Sequence, residues 1–395
     1  MVECWVSVAI ARPLLGLFDY ECTQMVAVGV RVLVPFGRQQ VVGVVMSVHK
    51  TRPLVDFALK SVARVLDDKP LVDAQMLALW GFAARYYFHP IGEVMQAALP
   101  KVLREGGENV QALARFYAVS VAGLAHLAEG GLGHKQAEVL RFLQAQGMCE
   151  EGVLRSRFAL SARWLADLLA RGWLVMEQRF LPQAGAVLPT LELNEAQTVA
   201  VSGVSALEGF EVALVEGVTG SGKSEVYLRC IEYWCASGGQ VVVLVPEIGL
   251  VQAMLARLRG RLKGAVVAHH SGLSDRERLD SWQAMANGSA QVLVGTRSAV
   301  WVQCKNLQAI VIDEEHDPAY KQQDGFRYHA RDVAIMRAKI IDVPLCWGRL
   351  RLLWSVFIRC RQGGGVDFIC QNGSMRWRCL RWCWRICVRH WCKMV

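Results

Sequence analysis

The sequence lacks a long, uncharged hydrophobic run, which argues against a membrane-spanning helix. Such a helix needs about 20 apolar residues, and the best candidate, Met25 to Phe36, is interrupted by Arg31 and Pro35. The start MVECWVSVAIARP has no basic segment of the kind found in secretory leaders, and it carries an acid at Glu3. We therefore expect a soluble, cytoplasmic protein whose cysteines stay reduced.

The chain is not poor in apolar residues, and it contains no glycine–proline repeat. Hydrophobic residues make up 53% of the chain, which excludes a disordered protein. Gly and Pro number 35 and 11 among 395 residues, too few for a fibrous repeat. A chain of this length has room for roughly two to four domains, each with its own core.

The charge is distributed very unevenly along the chain. The 44 Lys and Arg against 35 Asp and Glu give a net charge of +9. The segment 346–395 alone holds 10 basic residues and 1 acid, so the first 345 residues hold 34 of each sign. The same segment contains 7 of the 13 Cys and 6 of the 13 Trp. We therefore place a boundary at residue 346. Because all of the excess positive charge lies after it, the net charge is not evidence that residues 1–345 bind nucleic acid.

The pattern of apolar residues predicts a multidomain α/β protein. Short Val-rich runs over 1–108 indicate a β-rich N-terminal domain. Helical patterns ending in a short β element over 115–180 suggest a small winged-helix domain. From 190 to 345, apolar strands alternate with amphipathic helices, which is typical of a parallel sheet covered on both faces. The segment 346–395 is an aberrant basic tail rich in Cys and Trp.

A phosphate-binding loop is the strongest motif in the chain. It fits G-x-x-x-x-G-K-[ST] between a strand and a helix, the setting in which the motif counts as evidence. The nucleotide-binding residues are Gly217, Val218, Thr219, Gly220, Ser221, Gly222, Lys223 and Ser224. Lys223 is expected to reach the β- and γ-phosphates of ATP, while the Ser224 hydroxyl is expected to bind Mg²⁺.

An acidic motif follows a later strand. The apolar run 309–312 leads directly into Asp313-Glu-Glu-His316. Because parallel strands end at one edge of the sheet, these carboxylates should face the phosphate loop. Asp313 is placed to hold Mg²⁺, and Glu314 to orient or deprotonate the attacking water. His316 either couples the nucleotide site to bound nucleic acid or caps a helix.

Together these motifs resemble a superfamily 2 nucleic-acid helicase with a RecA-like P-loop lobe. Further segments narrow the resemblance to the primosomal protein N′ (PriA) family of replication-restart helicases over about residues 4–345. Those segments are Val34–Gln40, Tyr86–Gly92, Leu244–Leu250, His270–Asp275, Gly295–Ala299 and Tyr320–Asp332.

The resemblance implies DNA contacts in the helicase lobe. Thr296, Arg297 and Ser298 follow a strand end and suit phosphate contacts on single-stranded DNA. In the aromatic-rich loop, rings would stack on bases while cations meet the backbone; its residues are Tyr320, Lys321, Phe326, Arg327 and Tyr328. The first set could instead be an ordinary polar loop. The rings of the second set could instead pack in the core.

The resemblance also implies a pocket for the 3′-terminal nucleotide of a DNA strand. Its residues would be Phe18, Asp19, Tyr20, Gly37 and Lys60, with the aromatic pair around the base and Asp19 accepting the 3′-hydroxyl. Taken alone, a Phe-Asp-Tyr strand is equally well a core feature. Gln197 lies where helicases place an adenine-reading glutamine, or it is a helix-surface residue.

The tail has a coding explanation. After a segment like 342–345, the resembling family continues with a run that reads Leu-Gly-Ser-Ala-Thr-Pro-Ser-Leu-Glu. Read from the third base of the Cys346 codon, the next two triplets of this chain must encode Leu and Gly, as that run begins. We hypothesise that 346–395 is frameshifted. The alternatives are a basic nucleic-acid or membrane-surface arm, or a zinc site. Cys379, Cys383, Cys387 and Cys392 lack paired C-x₂-C spacing, so the family's zinc sites are not expected here.

The sequence thus predicts a truncated PriA-like 3′→5′ DNA helicase that uses ATP and Mg²⁺. By family, its partners are fork and 3′-ended DNA, primosome proteins and single-strand-binding proteins, with no membrane. Three hypotheses stay open for this polypeptide: a DNA-stimulated ATPase, a binding module without turnover, or a misfolded pseudogene product. We favour the latter two.

Overall fold

The computed structural model describes residues 2–109, 114–130, 132–179, 191–217, 221–350, 356–361 and 364–365. The chain packs as two compact units. The first comprises residues 1–109 together with 183–395, and the second comprises residues 110–182. Within the described ranges, none of the helices is long and apolar enough to span a lipid bilayer.

A six-stranded sheet forms the N-terminal part of the first unit. Its strands are β1 Cys4–Ile10, β2 Phe18–Cys22, β3 Arg31–Phe36, β4 Gln39–His49, β5 Lys60–Ser61 and β6 Arg64–Val65, in the order β5-β2-β1-β4-β3-β6. In the valine-rich strands β1, β3 and β4, alternate side chains point to the same face of the sheet and pack in a shared apolar core. Three helices follow: α1 Ala74–Tyr86, α2 Ile91–Ala98 and α3 Lys101–Arg104.

The second unit combines four helices with a small antiparallel sheet. Its elements are β7 Ala114–Val119, α4 Val121–Glu129, α5 His134–Gln146, β8 Cys149–Glu150, α6 Glu151–Phe158, α7 Ala162–Ala170 and β9 Leu174–Arg179. The strand order is β8-β7-β9. Ser120 and Ser161 cap α4 and α7 through their hydroxyl groups. The winged-helix assignment of this unit stays a prediction.

A second, larger sheet forms the rest of the first unit. Its strands are β10 Val212–Gly217, β11 Gln240–Leu244, β12 Val266–His269, β13 Val292–Gly295, β14 Leu307–Ile312, β15 Leu345–Leu350, β16 Val356–Arg361 and β17 Gly364–Gly365. The order is β12-β13-β11-β14-β15-β10-β16-β17, and pairing is parallel from β12 through β10. The predicted α/β fold class with a parallel sheet is confirmed.

Helices connect the strands of this sheet. They are α8 Glu195–Ser205, α9 Lys223–Ala236, α10 Ile248–Arg259, α11 Asp275–Asn287 and α12 Ala330–Ile341, with 3₁₀ turns at Arg297–Trp301 and Pro318–Tyr320. The strands β11, β13 and β14 are buried along nearly their whole length, as a sheet covered on both faces requires. Their carboxyl ends meet at one edge.

The sheet does not stop at residue 345, where the composition changes. Strand β15 continues to Leu350 and lies between β10 and β14. A parallel ladder needs only backbone groups, and the buried Cys346 and Gly348 are small enough for a central position. The sheet thus extends past the predicted boundary at residue 346. The four cysteines considered for zinc lie outside the described residues.

Hydrogen bonds join both ends of α1 to the part of the first unit that carries the larger sheet. The Asp73 N–H donates to Gln303 Oε1 at 3.0 Å. The His329 N–H donates to the Tyr87 hydroxyl at 3.1 Å, joining the end of α1 to the loop before α12. The buried Arg337 on α12 donates to the carbonyl oxygens of Val300 and Val302. This packing places the end of α1 beside the aromatic-rich loop.

A buried histidine makes stability depend on pH. His269 ends β12, and its Nδ1 lies 3.0 Å from Ser281 Oγ. Burial, with smaller effects from Arg278 and His270, lowers the pKa of His269 to about 3. Below about pH 6.5 the His269 imidazole binds a proton in the unfolded chain but stays neutral in the folded chain. We expect the free energy of unfolding to fall by up to about 1.4 kcal/mol per pH unit on acidification.

Urea midpoints measured at pH 7 and pH 5 check this expectation. A His269→Asn variant keeps a hydrogen-bonding group near Ser281 but loses the titration. Its midpoint should change less between the two pH values than that of the unchanged protein. Equal pH dependence in the two proteins would show that His269 is not the cause.

Candidate nucleotide and DNA-binding sites

The phosphate loop joins β10 to α9, and two of its glycines, Gly217 and Gly222, lie close to polar side chains. Gly222 caps α9 with φ of +83°, and a Cβ there would lie 2.2 Å from Gln197 Nε2. A Cβ on Gly217 would lie 2.4 Å from Ser221 Oγ. Larger residues would therefore push apart the groups that form the loop. Residues 218–220 of the predicted loop, Val218, Thr219 and Gly220, lie outside the described residues.

Lys223 faces the acidic motif across the end of the sheet. Its Nζ donates to the Gly217 carbonyl oxygen at 2.7 Å and lies 3.5 Å from Glu314 Oε1. Glu314 has φ of +45°, a conformation that is uncommon outside glycine. Its Oε2 is buried and has no hydrogen-bond partner among the described residues. The structure thus brings together the Lys223 ammonium and the Glu314 carboxylate, an arrangement that can bind a further polar ligand such as a phosphate or a water molecule.

Asp313 lies beside this pair. Its N–H donates to the Leu244 carbonyl oxygen at 2.9 Å, and its Oδ1 accepts from the Glu314 N–H at 3.1 Å. Burial raises the pKa of Asp313, the charge of Glu314 adds to the rise, and Lys223 opposes it. A divalent cation at this carboxylate would favour its ionised form. The arrangement fits a Mg²⁺ nucleotide.

Gln197 touches the phosphate loop directly. Its backbone N–H donates to the capping Asn194 Oδ1 at 2.8 Å, and its Nε2 donates to the Ser221 carbonyl oxygen at 3.0 Å. A glutamine on an open helix surface would not make the second contact. Ser224, the second residue of α9, is half-buried. The adenine-reading role of Gln197 and the metal role of Ser224 stay predictions. Among the described residues, His, Cys, Asp and Glu form no cluster of three that could hold a metal ion.

The polar segment after β13 supports the aromatic-rich loop. Thr296, Arg297 and Ser298 are half-buried at the carboxyl edge of the sheet. Arg297 Nη1 donates to the carbonyl oxygens of Ala319 and Lys321, each at 3.0 Å. The guanidinium therefore positions the loop in this conformation. The predicted phosphate contacts of the three residues remain untested.

The rings of the aromatic-rich loop are in the interior. The Tyr320 hydroxyl oxygen lies 2.6 Å from the Asp313 carbonyl oxygen. Phe326 and Tyr328 stack on each other at 5.0 Å between centroids and contact Trp301. Tyr320, Phe326 and Tyr328 are each at most 6% exposed, so in this conformation they pack in the core and offer no face to a base. The predicted cations of the loop, Lys321 and Arg327, are exposed.

The predicted base sandwich of the 3′-end pocket is not formed. Phe18 and Tyr20 alternate with Asp19 on β2, so the two rings lie on one face and the carboxylate on the other. Tyr20 is 4% exposed in the core, and Phe18 packs edge-to-face on Phe36 at 5.3 Å. Burial of apolar area favours this inward placement over an open stack. Of the other predicted pocket residues, Gly37 has φ of +59° with open space around it, and Lys60 is exposed beside Tyr20.

Two polar side chains around Asp19 were not predicted. Ser7 Oγ donates to Asp19 Oδ1 at 2.6 Å and lies 3.1 Å from His49 Nε2. Ser7 is paired with Asp19 on β2 and with Ser47 on β4, which brings His49 to the same cluster. Only the strand register shows this grouping, because 42 residues separate Ser7 from His49.

Comparison with known proteins identifies the class of this site. Residues 194–343 match the DEAD/DEAH box helicase family, and residues 7–100 match the 3′DNA-binding domain (3′BD) family. The first match covers the phosphate loop and the acidic motif, and the second covers the six-stranded sheet. The chain therefore contains a helicase domain of a family that uses ATP, together with a DNA-binding domain.

Relatives narrow this class to one family. The chain is 40% identical to the replication restart protein PriA of Haemophilus influenzae over 359 residues, which are 87% of this chain and 48% of that protein. It is 27% identical to PriA of Bacillus subtilis, over 88% of this chain and 52% of that protein. A solved structure of RecG bound to a three-way DNA junction is 22% identical with a TM-score of 0.33, covering 41% of this chain and 21% of that chain.

Over the part that it spans, the chain belongs to the replication restart protein PriA family, as its motifs predict. It spans about half the length of these relatives.

Proposed function

We propose that this chain binds ATP with Mg²⁺ and binds 3′-ended DNA, without sustained ATP turnover by itself. The observation that carries the nucleotide part is the meeting of Lys223 with Glu314 at the edge of the sheet, 3.5 Å apart. The match of residues 7–100 to a 3′DNA-binding domain supports the DNA part. The alternative is a chain without function, whose tail arises from a reading-frame change.

Each nucleotide-binding residue has a role that its position supports. The Lys223 ammonium binds the β- and γ-phosphates when they displace it from the Gly217 carbonyl oxygen. Ser224 and Asp313 would hold a Mg²⁺ ion, which would supply positive charge beside the phosphates. Glu314, whose Oε2 is buried and lacks a hydrogen-bond partner among the described residues, orients the attacking water. Gln197 reads the adenine from the helix before the loop.

Asp19 should distinguish the chemistry of a DNA 3′-end. Its carboxylate accepts from Ser7 and retains lone pairs for a 3′-hydroxyl, whereas a 3′-phosphate brings like charge. We expect DNA with a 3′-hydroxyl to bind about 10-fold more tightly than the same strand with a 3′-phosphate. Fluorescence anisotropy with the two labelled strands measures the ratio.

An Asp19→Asn variant tests whether this carboxylate makes the distinction. The amide removes the repulsion, so the two strands should bind with affinities closer to each other. A Glu21→Gln variant, altered two residues away on the same strand, should keep the original ratio. Equal binding of both strands by the unchanged protein would remove the role proposed for Asp19.

We propose a helicase activity for a full-length protein of this kind. An intact protein of this kind would act as a 3′→5′ DNA helicase that restarts stalled replication forks in the cytoplasm. Primosome proteins and single-strand-binding proteins would be its partners. Lys321 and Arg327 are exposed on the loop beside the nucleotide site, where they can meet a DNA backbone.

A further inference from the structure

The end of α1 carries a phenylalanine where a helix end favours glycine. The His89 N–H donates to the Ala84 carbonyl oxygen, five residues back, at 2.9 Å, and the Tyr87 N–H donates to the Ala83 carbonyl oxygen. Phe88 between these donors has φ of +50°. This is the left-handed cap of a helix end, a position that glycine occupies most easily and a bulky residue rarely.

Packing does not offset this unfavourable conformation. The Phe88 side chain is 87% exposed, so almost none of its apolar surface leaves water in the folded chain. Glycine would fit the backbone better, and a small polar residue would suit the exposure better. The ring is therefore best explained by a contact with another molecule.

The surroundings of Phe88 point to nucleic acid. Its neighbours Tyr87 and His89 contact the Phe326 ring, with centroids 5.9 and 5.1 Å apart. Phe88 thus lies beside the aromatic-rich loop, whose own rings are buried. Exposed cations on the same two elements are Arg85 on α1 and Lys321 and Arg327 on the loop. An exposed ring together with cations on its own helix and on the adjoining loop has the chemistry that single-stranded DNA requires, since bases stack and phosphates pair.

We propose that Phe88 is a base-stacking residue for single-stranded DNA. The buried Phe326 then supports the end of α1 through its contacts with Tyr87 and His89, and Phe88 provides the ring that reaches the base. This inference rests on the DNA binding proposed above and assigns one contact within it.

A Phe88→Asn variant tests the proposal, because asparagine tolerates the left-handed conformation but cannot stack. With the full chain and a labelled oligothymidylate, we expect binding to weaken by about 5- to 100-fold, the usual effect of losing one stacked base. The urea midpoint should stay equal or rise. A Phe88→Trp variant keeps a stacking ring and should bind within about threefold of the unchanged protein.

A Phe57→Asn variant is the matched control, since it removes another ring that is 64% exposed. It should leave oligothymidylate binding unchanged. Unchanged binding by Phe88→Asn, an equal loss in Phe57→Asn, or a loss of stability that accompanies the loss of binding would each overturn the stacking role. If the unchanged protein does not bind the oligonucleotide, the DNA-binding proposal itself fails.

Discussion

Replacing Lys223 by alanine is expected to weaken the binding of ATP with Mg²⁺ by about 10- to 100-fold, the usual cost of losing a charged hydrogen bond. The Lys223 side chain is 9% exposed, and its ammonium has two oxygen partners, Gly217 O at 2.7 Å and Glu314 Oε1 at 3.5 Å. Without it, the phosphates would face the Glu314 carboxylate with no intervening cation. Titration calorimetry with a slowly hydrolysed ATP analogue measures the change.

A Lys305→Ala variant is the control, because Lys305 is exposed and far along the chain from the phosphate loop. It should bind the nucleotide normally. Phosphate release in the presence of single-stranded DNA tests the turnover part of the proposal. Release by the unchanged protein more than about tenfold above that of Lys223→Ala would contradict binding without turnover. Equal nucleotide affinity in Lys223→Ala would contradict the site itself.

The approach of Lys223 to the acidic motif was predictable because it depends on short-range spacing and on sheet topology. A loop between a strand and a helix presents its N–H groups to phosphate wherever it occurs. In a parallel sheet, the strand before Asp313 must end at the same edge as the strand before Gly217. Two local motifs and one rule of topology therefore suffice to bring Lys223 to Glu314. No knowledge of the intervening residues is needed.

The placement of the aromatic rings was less predictable, because an aromatic side chain can either pack in the core or stack on a ligand. The spacing of Phe326 and Tyr328 is compatible with both, and the decision depends on Trp301 and Tyr87, which are distant in sequence. Phe88 shows the opposite case, since its left-handed backbone conformation and its 87% exposure distinguish it from the half-buried Tyr87 beside it. Contacts set by tertiary packing leave little trace in local composition.

Gly92, in the first turn of α2, allows the helix to approach the backbone of β1 closely. A Cβ on Gly92 would lie 1.6 Å from the Ile10 carbonyl oxygen and 2.7 Å from the Ile10 carbonyl carbon. Both are backbone atoms at the end of the central strand β1, so neither can rotate away. We expect Gly92→Ala to lower the free energy of unfolding by about 3 kcal/mol or more, toward the upper end of overpacking effects. Urea unfolding measures the loss.

A Gly81→Ala variant provides the matched comparison within the same group of helices. The nearest atom to a Cβ on Gly81 is Arg85 Nη1 at 3.9 Å, an ordinary contact. Alanine favours a helix over glycine by up to about 1 kcal/mol, so this variant should gain stability. The same substitution at Gly92 and at Gly81 should thus shift the urea midpoint in opposite directions. Equal shifts would mean that α2 can move off β1 at little cost, and that Gly92 does not fix the close approach of helix to sheet.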